Sequence, residues 1–197
     1  MSAVSEGVAR LVFDPGPLLD VMNEIVNVRT FRPAPVPEEA RARLLEAFRL
    51  GPSAANIQPW ELVAVDSPEL RERLVQATLD PLMRRVPGGG QPWISQAPLV
   101  WIVAIDRKRA EARVGPQGFL HGAEDCFAAI QNLRVVAGSL GLATAVIREI
   151  EPKAVAGAFG LPWWVEPLCA LAAGLSDSRR EIPPRLAVHD FVRRERW

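Results

Sequence analysis

The chain contains few of the residues from which metal sites and redox-active thiol pairs are built. Its 197 residues include two cysteines and two histidines. Cys126 and Cys169 lie far apart in apolar segments and form no CxxC pair, so we expect two buried free thiols rather than a metal or redox-disulfide motif. His121 and His189 have no companion ligands at zinc-binding spacing. The sequence therefore predicts no metal site.

A net charge of one sign is also absent. Lys and Arg number 23, and Asp and Glu number 23, so the formal net charge is zero. A neutral chain gives no reason to expect a nucleic-acid or membrane-surface partner. No apolar run reaches transmembrane length, and the first twenty residues carry four charged side chains without a sustained apolar stretch. We therefore expect a cytoplasmic protein without a signal peptide.

Sequence motifs for nucleotide binding and for side-chain catalysis are missing as well. There is no GxGxxG dinucleotide fingerprint. Gly88-Gly89-Gly90 is not followed by the Lys-Ser/Thr pair of a phosphate loop, so it is interpreted as a flexible turn. Neither a nucleophilic triad nor a pair of catalytic carboxylates stands out. The sequence thus offers no catalytic side chain of those kinds.

What the sequence does contain is typical of one packed domain. Hydrophobic residues make up 49% of the chain, and the length suits a single domain with its own core, taken here as residues 1–197. Residues 1–14 are interpreted as a loosely held N-terminal extension. Residues 176–197 are rich in proline and arginine and lack helical periodicity, so they are interpreted as a tail that lies across another surface or frays.

Hydrophobic periodicity predicts several helices around a small sheet. Leu99–Ile105 is a continuous apolar run of strand length, which predicts a central strand buried on both faces. Between about Phe119 and Leu140, apolar residues recur at three- and four-residue steps, which predicts the longest helix. Further helices are expected over residues 18–26, 38–50, 69–79 and 152–159, and further strands over residues 61–66, 143–147 and 168–173.

A polar loop between a helix end and a strand start is the most informative segment. Residues 51–60 read GPSAANIQPW, and within them Ser53, Asn56 and Gln58 offer uncharged hydrogen-bonding side chains. Amide and hydroxyl groups can bind both donors and acceptors, as a heteroaromatic ligand requires. On its chemistry alone, the segment fits either a ligand-binding loop or an ordinary helix-to-strand loop.

Four segments, in the same order, resemble the nitroreductase family. PSAANIQPW resembles the flavin-binding loop of that family, and residues 29–36, with Arg-Thr-Phe followed by Pro-Val, are similar to its N-terminal stretch. Residues 125–133, with residues 140–144, resemble its long central helix and the strand that follows. Residues 159–174, from Phe-Gly-Leu-Pro to Leu-Ala-Ala-Gly, resemble its closing helix and strand. The resemblance covers almost the whole chain, and four ordered motifs are more specific than any one of them.

The resemblance implies an α+β nitroreductase-like fold, with a mostly antiparallel central sheet flanked by helices. It also implies a homodimer with two FMN molecules at the interface, each contacted by both chains, and a C-terminal tail that reaches the partner subunit. In this family NADH or NADPH passes a hydride to the flavin and leaves, and a small-molecule aromatic acceptor takes its place. The flavin carries the chemistry, while the protein supplies orientation and electrostatics.

The resemblance also assigns site residues by position. Arg29 would face the pyrimidine end of the flavin, and Asn27 would stand where the family has a phosphate-binding serine. Trp93 is a candidate for the substrate opening, with simple packing as its alternative. The other cofactor-binding candidates are Pro52, Ser53, Asn56 and Gln58, contributed by the partner subunit; Ile147, Arg148 and Glu149, whose backbone groups would approach the reactive nitrogen; and Arg179 or Arg180, whose guanidinium would hold the phosphate.

The chain departs from the family at two positions. Ile25, Val26 and Asn27 stand where family members usually have Arg-Arg-Ser, so a cationic phosphate contact is missing. Losing such a contact would weaken binding by roughly ten- to a hundredfold. After the third strand, Arg148-Glu149 replaces a typical glycine, and Arg148 is one candidate to compensate.

The leading hypothesis is an FMN-dependent reductase that uses NADH or NADPH to reduce nitroaromatic or quinone-like acceptors by a ping-pong hydride-transfer mechanism. One alternative keeps the flavin and changes the reaction, to reductive dehalogenation or ring oxidation. The other is a degenerate family member that binds flavin weakly and serves as a binding or scaffold protein. The missing Arg-Arg-Ser string motivates this second alternative.

Overall fold

The computed structural model describes residues 14–79, 90–178 and 181–197. The interpretations of residues 1–13, of Gly88-Gly89 and of Arg179-Arg180 therefore lie outside the described residues. Short 3-10 turns occur at Ala54–Asn56, Pro92–Gln96 and Gly115–Gln117. Within the described residues no helix combines the length and apolar character that a membrane span requires. The α-helices are α1 (Gly16–Asn23), α2 (Glu38–Arg49), α3 (Pro68–Gln76), α4 (Arg107–Val114), α5 (Gly118–Ser139), α6 (Pro152–Phe159) and α7 (Val188–Phe191).

A four-stranded antiparallel sheet lies at the centre of the fold, in the order β1-β2-β4-β3. On β4, Ala170 lies opposite Ile102 of β2 on one side and Ile147 of β3 on the other. Helices together with an antiparallel sheet confirm the α+β class expected from the sequence. The strands are β1 (Trp60–Ala64), β2 (Leu99–Asp106), β3 (Ala143–Ile147) and β4 (Val165–Gly174).

Strand β2 separates two hydrophobic layers, because consecutive residues of a strand point to opposite faces. Val100 and Ile102 contribute to the layer that contains Phe31. Trp101 and Val103 contribute to the other layer, which α2 and α5 cover. Seven of the eight β2 residues are buried, and this burial confirms the prediction of a central strand covered on both faces.

Most predicted elements agree with the structure to within three residues at each end. Ser67 caps α3 by accepting a hydrogen bond from the backbone N of Leu70 at 3.2 Å. Gly160 adopts a left-handed φ of 63° and ends α6. These local signals were readable from the sequence because each depends on one or two neighbouring residues.

Helix α4 is absent from the sequence prediction. Its sequence RKRAEARV buries only Ala110, so it has almost no apolar face for periodicity to detect. The helix begins where the side chain of Asp106 accepts a hydrogen bond from the backbone N of Arg109. Helix α7 is a single short turn within the tail, where the sequence also gave no helical periodicity.

Strand β4 begins at Val165, earlier than the predicted start at Leu168. Proline cannot donate a ladder hydrogen bond, so Pro167 is an unfavourable residue for an inner strand. The structure accommodates it where the register between β2 and β4 shifts, between Val103 and Ala104. The irregularity lets the strand extend through Pro167 to Val165, beyond the predicted range.

The two thiols are buried, as expected: Cys126 lies on α5 and Cys169 on β4. Burial raises the pKa of both to about 12. Because the thiolate is the reactive form, we expect negligible labelling of the native protein by iodoacetamide at about pH 8.5. Both thiols should react once the protein is unfolded. Mass spectrometry of the intact chain counts the labels that have been added. Rapid labelling of either thiol in the folded protein would contradict this burial.

The same raised pKa values predict a loss of stability in alkali. From the ordinary thiol pKa of 9.0 up to about 12, unfolded thiols release protons while the folded thiols retain theirs. The free energy of unfolding should therefore fall as pH rises through this window. Replacing both cysteines with alanine should flatten that part of the pH profile, measured by urea denaturation.

Candidate functional site

The loop between α2 and β1 has an unusual backbone. Ala55, Asn56 and Gln58 adopt left-handed φ values of 49°, 53° and 51°. Such values cost roughly 1–2 kcal/mol for a residue with a side chain, and asparagine tolerates them best. The side chains of Asn56 and Gln58 are exposed, and Ser53 is half-buried. A strained, exposed polar segment of this kind is typical of ligand sites.

Contacts within the loop and from α5 hold this conformation. The hydroxyl of Ser53 accepts a hydrogen bond from the backbone N of Gln58 at 2.9 Å. The side-chain amide of Gln58 donates to Asn56 Oδ1 at 3.3 Å. From α5, the carboxylate of Asp125 accepts a hydrogen bond from the backbone N of Ala54 at 3.0 Å. The loop is therefore anchored to the central helix of the fold.

Helix α4 supplies two further anchors. Arg109 Nη1 donates to the backbone O of Gln58 at 2.8 Å, and the same guanidinium pairs with Glu61. Arg113 Nη1 donates to the backbone O of Ala55 at 3.3 Å. The arginines of the unpredicted helix thus bind the carbonyls of left-handed residues and leave the loop's side chains at the surface.

Asn27 lies beside β3, far from this loop along the chain. The backbone N of Val28 donates to the backbone O of Thr144 at 2.9 Å, and Asn27 forms a parallel bridge with Thr144. The side chain of Asn27 then bonds the backbone of Val146, accepting from its N at 3.1 Å and donating to its O at 3.4 Å. Asn27 is therefore held rigidly at the edge of the sheet.

A guanidinium that the sequence analysis did not single out lies beside Asn27. Arg134 of α5 donates from Nη2 to Asn27 Oδ1 at 3.2 Å and from Nε to Thr144 Oγ1 at 3.1 Å. Burial lowers the pKa of Arg134 from its ordinary value. A surface cavity of about 360 Å³ opens here, lined by Met22, Ile25, Val26, Asn27, Gln131, Arg134, Pro183 and Arg185.

The remaining candidates near β3 differ in how much of each side chain is exposed to solvent. Arg29 is exposed, Ile147 is buried and Glu149 is half-buried. The backbone O of Glu149 accepts a hydrogen bond from the backbone N of Leu79 at 2.8 Å. Arg148 is exposed, and its guanidinium lies 5.8 Å above the ring centroid of Phe127. Arg148 does not line the cavity beside Asn27.

Trp93 packs next to the segment that carries Arg29. Its ring centroid lies 6.0 Å from that of Phe31, and its indole N donates to Gln91 Oε1 at 2.8 Å. The side chain is half-buried against the core layer of Phe31. These contacts show that Trp93 packs against the core. Its role at a substrate opening stays a prediction.

The candidates thus fall into two groups within one chain. The loop group contains Pro52, Ser53, Asn56 and Gln58 and is anchored at Asp125 of α5. The other group surrounds Asn27 and reaches α5 at Arg134. These two α5 positions are separated by about 13 Å of helix rise.

Sequence reasoning missed four residues that shape these two groups, namely Asp125, Arg109, Arg134 and Arg185. Two of their contacts join positions 71 and 107 residues apart, so no local pattern reveals them. One signal was available. Arg134 is a charged residue in a segment that is otherwise mostly apolar, RVVAGSL, and such a residue requires a polar partner.

Comparisons with known proteins agree with this fold. The solved NADPH:FMN oxidoreductase of Vibrio harveyi in complex with NAD+ has the same fold, with a TM-score of 0.79 and 24% identity, covering 91% of this chain and 77% of that one. The FMN reductase (NAD(P)H) of Bacillus subtilis strain 168 is 28% identical over 186 residues, covering 84% of this chain and 71% of that protein. The family model of the nitroreductase family matches residues 27–175, and the chain belongs to the nitroreductase family.

Proposed function

We propose that this protein is an FMN-dependent oxidoreductase that uses NADH or NADPH to reduce small aromatic or quinone-like acceptors. Membership of the nitroreductase family supports the reaction class. The observation that carries the proposal is the anchored polar loop, in which Ala55, Asn56 and Gln58 are held in left-handed conformations. Relatives named as FMN reductase and as NADPH-flavin oxidoreductase support the choice of flavin.

The donor groups of the two clusters fit FMN. Ser53, Asn56 and Gln58 provide hydroxyl and amide groups that match the alternating donors and acceptors of a flavin ring and its ribityl chain. The cavity beside Asn27 has a cationic character that matches a phosphate. Bound FMN would supply the redox chemistry, accepting a hydride from reduced nicotinamide and delivering electrons to the acceptor.

The residues of this chain would bind and orient the cofactor. Arg29 would place its cation at the pyrimidine end of the ring and stabilise negative charge there. The backbone groups of Ile147, Arg148 and Glu149 would approach the reactive nitrogen. Asn27 would contribute its amide at the phosphate end. Trp93 would line the opening through which the acceptor enters.

A homodimer would complete each site. The loop group and the Asn27 group lie at different positions along α5 of one chain, which supports a site formed by one group from each subunit. The tail beyond residue 176 carries exposed apolar side chains, among them Leu186 at 72% and Phe191 at 61% exposure. Such a tail suits contact with the partner subunit. Residues 1–197 would then form one domain per subunit.

NADH or NADPH and the acceptor would use the same opening in turn. Among the described residues near Asn27 and the loop, no nucleophilic side chain is paired with a base. The protein would therefore contribute to the reaction by positioning the reactants and stabilising charge. Alternate binding at one opening gives ping-pong kinetics, in which double-reciprocal plots at several acceptor concentrations are parallel. Nitroaromatic and quinone compounds are the acceptor classes that we expect.

The first experiment is to record the visible absorbance of the purified protein and to identify the cofactor released on denaturation. We expect a flavin spectrum and FMN near one per chain, and rapid bleaching by NADH or NADPH without oxygen. A protein that neither contains nor takes up flavin would instead support a binding or scaffold role. Flavin reduction without turnover of nitroaromatics or quinones, but with turnover of haloaromatics, would change the reaction to reductive dehalogenation.

A further inference from the structure

We propose that Arg134 supplies the cation that replaces the missing Arg-Arg-Ser contact to the phosphate of FMN in this chain, within the cavity between Asn27 and Arg185. The inference rests on the proposed function, because FMN is the phosphate monoester concerned. It assigns to α5 a charge that the family usually places in the Arg-Arg-Ser string. Neither Arg148 nor an N-terminal residue would then be needed to replace the missing cation.

The position of Arg134 is fixed by two side-chain acceptors. Nε and Nη2 are engaged by Thr144 and Asn27 at 3.1 Å and 3.2 Å. An arginine carries five N–H donors, and these two bonds leave further donors of the planar fork to bind an anion. Because Asn27 is itself locked to the backbone of Val146, the guanidinium is preorganised before any ligand arrives.

The charge of Arg134 lacks an anionic partner among the described residues. The ion pairs among the described residues involve other arginines and two histidines, and Arg134 takes part in none of them. Partial burial without a counter-ion is unfavourable for a guanidinium, since it loses hydration and gains no Coulomb attraction. A bound anion would supply that attraction.

The cavity itself selects for an anion. Among the residues that the structure describes, its lining includes Arg134 and Arg185 and no Asp or Glu, and Asn27 and Gln131 add neutral donors. Two guanidinium groups with amide donors match a phosphate, which has several oxygen acceptors in a compact group. At 360 Å³ the cavity has room for such a group.

Ile25 shows why the cation must come from elsewhere. It occupies the position of the first arginine in the family's Arg-Arg-Ser string, and it lines the same cavity as Arg134. The apolar residue and the α5 cation therefore share one cavity. In this chain the long helix α5 supplies a cation to the cavity that Ile25 lines.

The test compares FMN with riboflavin, which has the same ring and ribityl chain but no phosphate. Dissociation constants are measured by titration of flavin fluorescence for the wild type and for Arg134→Gln, which keeps amide hydrogen bonding and removes the charge. We expect the FMN constant to rise about ten- to a hundredfold in the variant. The riboflavin constant should change by less than about twofold, since it depends on no phosphate contact.

Arg71→Gln is the matched control. Arg71 is also half-buried, burial also lowers its pKa, and it also donates hydrogen bonds, to the backbone O atoms of Val65, Ala97 and Pro98. Its loss should reduce stability without changing the ratio of the two flavin constants. Arg134→Lys, which keeps the charge, should restore part of the preference for FMN.

The outcomes separate this inference from the proposed function. Wild type that binds FMN and riboflavin equally would overturn the phosphate site and leave the flavin function standing. Equal weakening of both ligands by Arg134→Gln would make Arg134 a structural residue and overturn its assignment. Wild type that binds neither ligand would contradict the proposed function itself, and the inference with it.

Discussion

Replacing Asp125 with alanine is expected to weaken FMN binding by about a hundredfold, because several loop contacts would be lost together. The carboxylate accepts the hydrogen bond from the backbone N of Ala54, and hydrogen bonds to charged groups contribute about 1.5–3 kcal/mol. The free energy of unfolding should fall by a similar amount. Flavin fluorescence titration and urea denaturation measure the two effects separately.

The size of the binding effect follows from the strain in the loop. Three left-handed residues, Ala55, Asn56 and Gln58, together cost on the order of 3 kcal/mol. Asp125, Arg109 and the hydroxyl of Ser53 offset this cost in the folded protein. Without Asp125 the backbone can relax, and Ser53, Asn56 and Gln58 leave their binding positions together. FMN would then have to restore the conformation when it binds.

Glu124→Ala is the control for this experiment. Glu124 is the neighbouring residue on α5 and has the same charge, but it faces solvent and contacts His121 at 3.3 Å. We expect its replacement to leave FMN affinity unchanged and stability within about 0.5 kcal/mol of the wild type. If Asp125→Ala lowered stability and left the FMN constant unchanged, the loop would have no part in flavin binding.

The fold was predictable where the relevant signal is local. Strand β2 has a continuous apolar run, and helix α5 repeats apolar residues at helical spacing; both patterns follow directly from burial. Helix α4 was not predictable, because it exposes most of its surface and buries only Ala110. Its capping by Asp106 and its contacts with the loop stabilise it instead.

The residues of the candidate site could be named only in part from the sequence, for a related reason. Residue types indicated the loop side chains as candidates, and the family resemblance indicated Asn27. They could not indicate that Ala55 is left-handed, since alanine has no intrinsic preference for that conformation. Nor could they indicate that Arg134 meets Asn27 across 107 residues of chain. Contacts of that kind are set by how α5 packs on the sheet.

Gly51→Ala is expected to destabilise the protein by about 3 kcal/mol, a large part of the stability of a typical domain. A Cβ atom at Gly51 would lie 2.5 Å from Ala129 Cβ and 2.7 Å from Ala129 Cα. The second atom belongs to the backbone of α5, so a rotamer change cannot relieve the overlap. The end of α2 must move away from α5, and the neighbouring loop moves with it.

The free energy of unfolding is measured by thermal and urea denaturation for Gly51→Ala and for its control, Gly157→Ala. Gly157 lies in α6, is exposed, and has open space where a Cβ would be added. Alanine there should stabilise the protein by about 0.5–1 kcal/mol, because it has the higher helix propensity. If Gly51→Ala were as stable as the wild type, the close approach of α2 to α5 would be wrong. The anchoring of the loop through Asp125, four residues before Ala129 on the same helix, would then need revision too.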